Sequence, residues 1–280
     1  MMINRKLNPT SEIGKYWDGI GGDRWVSNIT MLDKMLAPTT KILLDEISKH
    51  PSSTLLEIGC GAGDVAENVS VNNRQSTIDA LDISLNILIL AEKRVGKINQ
   101  INFIHGDAET YKFKNYFYNL VYSRFGVMFF NNPKIAFTNI KKSMGVQGKL
   151  IFLSWNNIEN NPWMYYPSQA AFSVLPQPEK QKGNSPGAFS LAEKAVIVEV
   201  LTNSGFNNVH SRKYDININL GKLDQAVHFA TQLGPAATPY AEATDFKKNS
   251  AKEAIKNELS KFENNENITL PGSCWLTIAI

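Results

Sequence analysis

Leu55-Leu-Glu-Ile-Gly-Cys-Gly-Ala-Gly-Asp64 is a short apolar run that breaks into three alternating glycines and then meets an acid. Val65, Ala66 and Val69 follow at helical spacing. The segment reads as strand, glycine loop, helix. Glycines let a backbone turn sharply and approach a ligand closely. A plain tight turn has the same glycines, but a place between a strand and a helix marks a ligand loop. A dinucleotide fingerprint, Gly-x-Gly-x-x-Gly, needs one residue more than Gly59, Gly61 and Gly63 allow. Asp64 at the helix start is an unwelcome neighbour for a pyrophosphate, because like charges repel there. The loop suits a nucleoside without phosphates, and Glu57 adds negative charge that favours a cationic one.

Outward from this loop the chain alternates strand and helix signals from 54 to 155. Further apolar runs are Ser76-Thr-Ile-Asp-Ala-Leu-Asp-Ile, Ile101-Asn-Phe-Ile-His-Gly-Asp, Leu120-Val-Tyr-Ser-Arg-Phe-Gly and Lys149-Leu-Ile-Phe-Leu-Ser-Trp. Ser84 is placed to cap a helix that runs to Gly96, and Asn132-Pro133 supplies a cap and a first-turn proline for another. Strands separated by helices of this length predict βαβ units and a parallel sheet. The second strand ends in Asp82, where a carboxylate can hold both ribose hydroxyls. The third ends in Gly106-Asp107-Ala108, where Asp107 can accept from the exocyclic amine of adenine. Ile83 and Ile87 are placed to sandwich the base, or equally to fill the core. A cationic nucleoside among these acids describes S-adenosylmethionine.

Through Glu57-Ile-Gly-Cys-Gly-Ala-Gly, Asp82-Ile-Ser and Gly106-Asp-Ala the chain resembles the class I S-adenosylmethionine-dependent methyltransferases, in the small-molecule branch of ubiquinone/menaquinone type. Tyr122-Ser-Arg-Phe-Gly-Val-Met-Phe-Phe130, Gly148-Lys-Leu-Ile-Phe, Asn161-Pro-Trp163 and the segment from Trp17 to Leu36 extend the likeness. The resemblance implies a Rossmann-like α/β fold: a seven-stranded, mostly parallel sheet in the order 3-2-1-4-5-7-6, strand seven antiparallel, with helices on both faces. It implies a cofactor, S-adenosylmethionine, with S-adenosylhomocysteine as product, held by Glu57, Gly59, Cys60, Gly61, Gly63, Asp82, Ile83, Ile87, Asp107, Ala108, Ser123 and Trp25. The activity implied is methyl transfer to a small-molecule acceptor by in-line displacement. Two rival readings are a non-catalytic module that binds the same cofactor and an NAD-dependent oxidoreductase. One departure is Asn119, where relatives usually carry Asp before the fourth strand; it affects the start of that strand only.

The whole chain has 280 residues, 43% hydrophobic and 20% charged, which is globular composition for one large domain. A net charge of +3 is too weak to predict nucleic acid or an anionic membrane as partner. No apolar run reaches the ~18 residues of a membrane span, and the N-terminus lacks the apolar core of a secretion signal. Cys60 and Cys274 are the only cysteines, so reduced thiols and a cytoplasmic protein are expected. No His/Cys/carboxylate cluster has metal spacing, and His105 reads as structural.

The expected parts are a helical cap over 1–50, a cofactor-binding core over 51–155, a lid over 156–189 and a completion of sheet and helices over 190–280. The lid carries five prolines and is read as irregular. Its only cations are Lys180 and Lys182, set against Glu159 and Glu179, which speaks against nucleic acid. Ser190-Leu-Ala-Glu193 reads as a capping box. Phe246, Ile255, Leu259 and Phe262 read as one apolar helix face. Ser273–Ile280 closes the sheet. Arg124, Trp155 and Trp163 are assigned to an acceptor pocket beneath the lid. No catalytic base is assigned.

Overall fold

The computed structural model describes residues 9–178 and 185–280. Seven long strands form one sheet: β1 (Thr54–Ile58), β2 (Thr77–Asp82), β3 (Ile101–His105), β4 (Tyr118–Arg124), β5 (Met144–Trp155), β6 (His210–Asn219) and, after the two-residue β7 (Glu263–Asn264), β8 (Asn267–Ala279). The spatial order is β3-β2-β1-β4-β5-β8-β6, with β7 folded back on the start of β8. β1 to β5 pair parallel, and β8 pairs antiparallel with both β5 and β6. With the short hairpin strand set aside, this is the predicted order. β1, β4 and the second half of β5 are buried almost throughout, as expected of parallel strands covered on both faces.

The helices are α1 (Glu12–Trp17), α2 (Ile20–Ser27), α3 (Ile29–Ile47), α4 (Asp64–Asn72), α5 (Leu85–Val95), α6 (Pro133–Ser143), α7 (Pro162–Phe172), α8 (Lys194–Asn203), α9 (Leu223–Gln232), α10 (Ala237–Glu242) and α11 (Asp245–Leu259). α4, α5 and α6 are the crossovers that parallel pairing requires. The Asn132 side chain accepts from the Ile135 amide at 3.1 Å, so α6 begins as predicted. Asn119 ties β4 to β1: its Oδ1 accepts from Ser53 at 3.0 Å and Thr54 at 2.8 Å.

Several expectations are corrected. The 156–189 stretch contains α7, a regular helix with Pro167 inside it, packed against α11, α9 and β8. Proline removes one amide from a helix, and burial of Trp163, Met164 and Ala171 holds the helix regardless. Ser190 does not cap α8; its hydroxyl donates to the Met128 carbonyl at 2.6 Å, and the helix starts at Lys194. Phe246 is 80% exposed, because it sits in the first turn of α11 ahead of the buried Ala251, Ile255 and Leu259 stripe. Glu179, Lys180 and Lys182 lie outside the described residues. No helix among the described residues is long and apolar enough to cross a membrane.

Candidate functional site

The carboxyl ends of β1, β2, β3 and β4 open on a cavity lined mainly by apolar side chains. This is where an open α/β sheet places its ligands. Gly59 turns at φ 65° directly against Gly126; a Cβ on Gly59 would stand 2.8 Å from the Gly126 Cα. The glycine is required both for the turn and for this close approach. Ser123 supports the same junction from behind: its hydroxyl donates to the Ile58 carbonyl at 2.8 Å and accepts from the Gly126 amide at 3.1 Å.

Asp82 is the best-fixed acid in the cavity wall. Oδ2 accepts from the Gly61 amide at 2.8 Å and Oδ1 from the Ser84 amide at 2.9 Å. Each oxygen keeps a second acceptor site, which two vicinal hydroxyls can share. Burial raises its pKa, and the backbone hydrogen bonds from Ser84 and Gly61 oppose that rise. Asp107 Oδ1 accepts from the Glu109 amide at 2.9 Å, so the turn after β3 holds this carboxylate at the cavity wall. Ile83, Ile87 and Ala108 line the same wall.

Glu57 is held apart from water, at 1% exposure. Burial pushes its carboxyl up to about 8, with Arg124 and Tyr122 acting against the rise. Neither Glu57 Oε2 nor the Tyr122 hydroxyl finds a partner in hydrogen-bond geometry, although the two groups influence one another's titration. Glu57 and Cys60 border a smaller adjoining cavity beneath α3, together with Gly59, Gly61, Asp64, Arg124 and Trp25. Burial also raises the Cys60 thiol, which keeps it protonated. Gly63 lines neither cavity; it is the left-handed N-cap of α4 and faces Val95 and Phe103.

The remaining walls come from the N-terminal helices and from the loop after β4. Ser11, Ile13, Gly14, Trp17 and Trp25 cover the cavity on one side, and Phe125, Phe129 and Phe130 on the other. Trp17 meets Trp25 at 5.8 Å and Phe129 at 4.8 Å, both edge-to-face. Sequence reasoning missed Ser11, Ile13, Gly14 and the phenylalanines as cavity residues. The quoted Phe125-Gly-Val-Met-Phe-Phe130 motif was the available signal for the phenylalanines.

Arg124 sits where the two cavities meet. Its Nη1 donates to Asp64 Oδ2 at 2.7 Å and also to the Thr40 hydroxyl. The charge of Asp64 is therefore balanced, and the repulsion expected from it at the loop is smaller than the sequence implies. Trp155 and Trp163 do not line the cavity. Trp155 stacks on the back of Phe125 at 4.0 Å, and Trp163 packs between Trp155 and Phe229 with its indole N–H on Asn161 at 3.0 Å. None of residues 156–178 borders either cavity. His105 Nε2 contacts the Ile83 carbonyl at 3.0 Å, and its Nδ1 is buried without a partner.

Residues 56–152 match the family described as a methyltransferase domain. The chain is 26% identical over 136 residues to malonyl-[acyl-carrier protein] O-methyltransferase 1 of Ilyobacter polytropus, covering 49% of this chain and 50% of that one. It thus spans about half the length of that relative. It is 21% identical over 231 residues to demethylmenaquinone methyltransferase of Renibacterium salmoninarum, covering 80% of this chain and 93% of the relative. Its fold is similar to that of Haemonchus contortus phosphoethanolamine N-methyltransferase 2 in complex with phosphomonomethylethanolamine and S-adenosylhomocysteine. The TM-score is 0.58 at 15% identity, over 98% of this chain and 61% of that one.

Proposed function

We propose, for a chain that belongs to the class I S-adenosylmethionine-dependent methyltransferases, that it transfers the cofactor's methyl group to a small-molecule acceptor. The observation that carries this reading is Asp82, held by the Gly61 and Ser84 amides in the wall of the larger cavity. The residues present suit the cofactor. Asp82 offers paired acceptors for ribose, and Asp107, Ile83, Ile87 and Ala108 offer an acidic, apolar berth for adenine. Gly59 lets the loop turn against Gly126 at the cavity wall, and Glu57 has an orphaned buried oxygen beside the smaller cavity.

The cofactor supplies an electrophilic sulfonium methyl, which is already joined to a good leaving group. What the chain must add is alignment and exclusion of water. The glycine loop and Asp82 fix the nucleoside end. Trp17, Trp25 and Phe129 form an aromatic cover that keeps the cavity dry. The acceptor space this leaves is largely apolar, with Arg124 as its nearest cation.

Calorimetry with S-adenosylmethionine, S-adenosylhomocysteine and NAD tests the cofactor. Product analysis with a panel of flat, apolar acceptors tests the reaction. Saturable binding of the sulfonium compound and acceptor-dependent release of S-adenosylhomocysteine are expected. NAD binding without sulfonium binding overturns the cofactor. Tight cofactor binding with no methyl transfer to any acceptor favours a non-catalytic module.

A further inference from the structure

The end of the sheet opposite the cavities is cationic in all its loops. The segments that lead into β1 to β6 are residues 48–53, 72–76, 96–100, 112–117, 141–148 and 203–209, and none of them contains an aspartate or a glutamate. Arg74, Lys97, Lys112, Lys114, Lys141 and Lys142 stand there, and among the described residues none of these pairs with a carboxylate. Glu46 on α3 is committed to Lys49 at 2.7 Å and to His50 at 3.3 Å. Asp64, Asp82 and Asp107 lie at the other ends of the strands. The overall charge of +3 hides this separation.

The loops form one surface. Asn73 donates to the Ser52 carbonyl at 2.8 Å, Thr54 to the Phe117 carbonyl at 2.8 Å, and the Tyr116 amide to the Lys142 carbonyl at 3.0 Å. Gln100 donates to the Arg74 carbonyl. Large apolar side chains project from the same surface: Val146 is 89% exposed, Tyr116 76% and Val71 59%, with Phe117 beside them under the Lys114 ammonium. Tyr116 holds φ 54°, a left-handed backbone that a bulky residue adopts at a cost, and its ring gains no burial in return. Between the pairs Tyr118–Met144 and Leu120–Lys149 the register slips, and Gly145-Val146-Gln147-Gly148 bulges out of the ladder with Val146 exposed. Helix dipoles account for Lys141 and Lys142, which end α6. They do not account for Lys112 and Lys114, since no helix lies between β3 and β4. They do not account for the apolar tips either.

We propose that this end of the molecule docks on an anionic phospholipid bilayer, with Tyr116, Phe117 and Val146 entering the headgroup region and the lysines around them facing lipid phosphates. Aromatic rings are at home at headgroup depth, and lysines reach anionic lipid on long apolar stems. The apolar residues project from separate turns, and neither cavity reaches this end, so a protein partner finds no pocket here for an anchoring side chain. Arg74 is the one arginine among the six cations, so the paired forks that suit nucleic-acid phosphates are missing. Docked in this way, the larger cavity and its aromatic cover face away from the bilayer. The docking is independent of the methyl-transfer reading.

Flotation with vesicles tests it, using phosphatidylcholine alone and an equimolar mixture of phosphatidylcholine and phosphatidylglycerol. Wild type is expected to float with the mixed vesicles only, and to be released by salt. Each lysine near an anionic surface is worth about five-fold in affinity, so Lys112→Gln with Lys114→Gln should weaken binding on the order of 25-fold. Tyr116→Asn with Val146→Ser removes the apolar tips, keeps a residue that tolerates φ 54°, and should weaken binding about ten-fold. Lys252→Gln with Lys256→Gln removes two exposed charges from α11 and should stay within about two-fold of wild type. Melting curves control for folding. In a second measurement, Val146→Cys carries an environment-sensitive dye, Cys60 and Cys274 being buried; its emission should shift to the blue on mixed vesicles. Binding to neither vesicle, equal binding to both, or an equal loss in the α11 variant overturns the proposal. Binding to polyglutamate as tight as to mixed vesicles, with the apolar variant unaffected, overturns it in favour of an acidic macromolecule. If a double variant does not fold, the dye decides: unshifted emission from vesicle-bound protein overturns the proposed contact.

Discussion

Asp18 Oδ1 accepts a hydrogen bond from the backbone amide of Leu85 at 2.9 Å. Leu85 opens α5, and the N-cap side chain of that helix, Ser84, makes no capping bond. The cap for the helix that follows Asp82 is therefore supplied by the N-terminal segment. His105 Nε2 stands 3.5 Å from the same Asp18 oxygen, and Asn86 donates to Asp23 at 2.7 Å. The cover over the cavity is fastened by polar contacts to the helix beside Asp82.

Asp18→Ala should loosen that fastening without harming the sheet. Loss of a capping acceptor costs about 0.5–2 kcal/mol. Amide exchange across 11–27 should quicken, and addition of S-adenosylhomocysteine should restore part of the protection. Exchange that is unchanged, or quickened equally in β1 and β4, would rule out a cover that opens separately.

Asp82→Ala should weaken the cofactor by ~1.5–3 kcal/mol, the range for a hydrogen bond to a charged group. The two backbone bonds change what Asp82→Asn does. An amide in place of the carboxylate must turn an N–H toward the Gly61 or Ser84 amide, so one of these contacts becomes repulsive. The asparagine variant should therefore fall closer to alanine than to wild type. Calorimetric affinities for S-adenosylhomocysteine check the order, and equal affinity in wild type and Asp82→Ala would move the ribose site elsewhere.

The glycine loop, Asp82 and Asp107 were legible because each is a short motif at a strand end, where position follows from the parallel-sheet pattern. The strand order came from the resemblance to class I methyltransferases, since the pattern of apolar runs alone predicts a parallel sheet without an order. Asp18 with Leu85, and Arg124 with Asp64 and Thr40, join residues far apart in the sequence, and no periodicity points across such a gap. Trp155 and Trp163 misled because an aromatic beside a cleft and an aromatic behind its wall have the same sequence signature. Prolines 162 and 167 likewise hid α7, since burial of one helix face outweighs a missing amide.

Glu57 should give stability a distinct pH dependence. Its carboxyl rises from 4.5 in the unfolded chain to about 8 in the fold, chiefly through burial. The folded state thus keeps a proton that the unfolded chain releases. The stabilisation is complete below about pH 4.5 and is lost as the pH climbs through about 8. Within this window the slope attributable to one proton is ~1.4 kcal/mol per pH unit. Glu57→Gln should flatten the loss, so the melting curves of wild type and variant should diverge between pH 5 and 9. Parallel curves would mean that Glu57 is ionised in the fold.

Gly59→Ala should abolish cofactor binding, and Gly126→Ala should resemble it. A non-glycine residue at φ 65° costs ~1–2 kcal/mol, and the new Cβ would meet backbone of the neighbouring loop at 2.8 Å. Gly61→Ala meets only the Trp25 indole at 3.9 Å, so the loop should survive with the backbone strain alone. Binding retained in Gly59→Ala would show that the two loops part easily.

Trp163 and Phe129 separate stability from acceptor recognition. Trp163 is 2% exposed and contacts Trp155, Phe229 and Asn161 within the core. Trp163→Ala removes a large buried side chain and should cost ~3–5 kcal/mol of stability. Any lost activity should then track the unfolded fraction. Phe129 borders the cavity, is only partly buried and meets Trp17 edge-to-face. Phe129→Ala should lower the melting temperature less and raise the KM for an apolar acceptor, with cofactor affinity within a few-fold of wild type. Melting curves and steady-state kinetics on both variants check this. A Trp163→Ala protein as stable as wild type but unable to turn over acceptor would return Trp163 to the acceptor pocket.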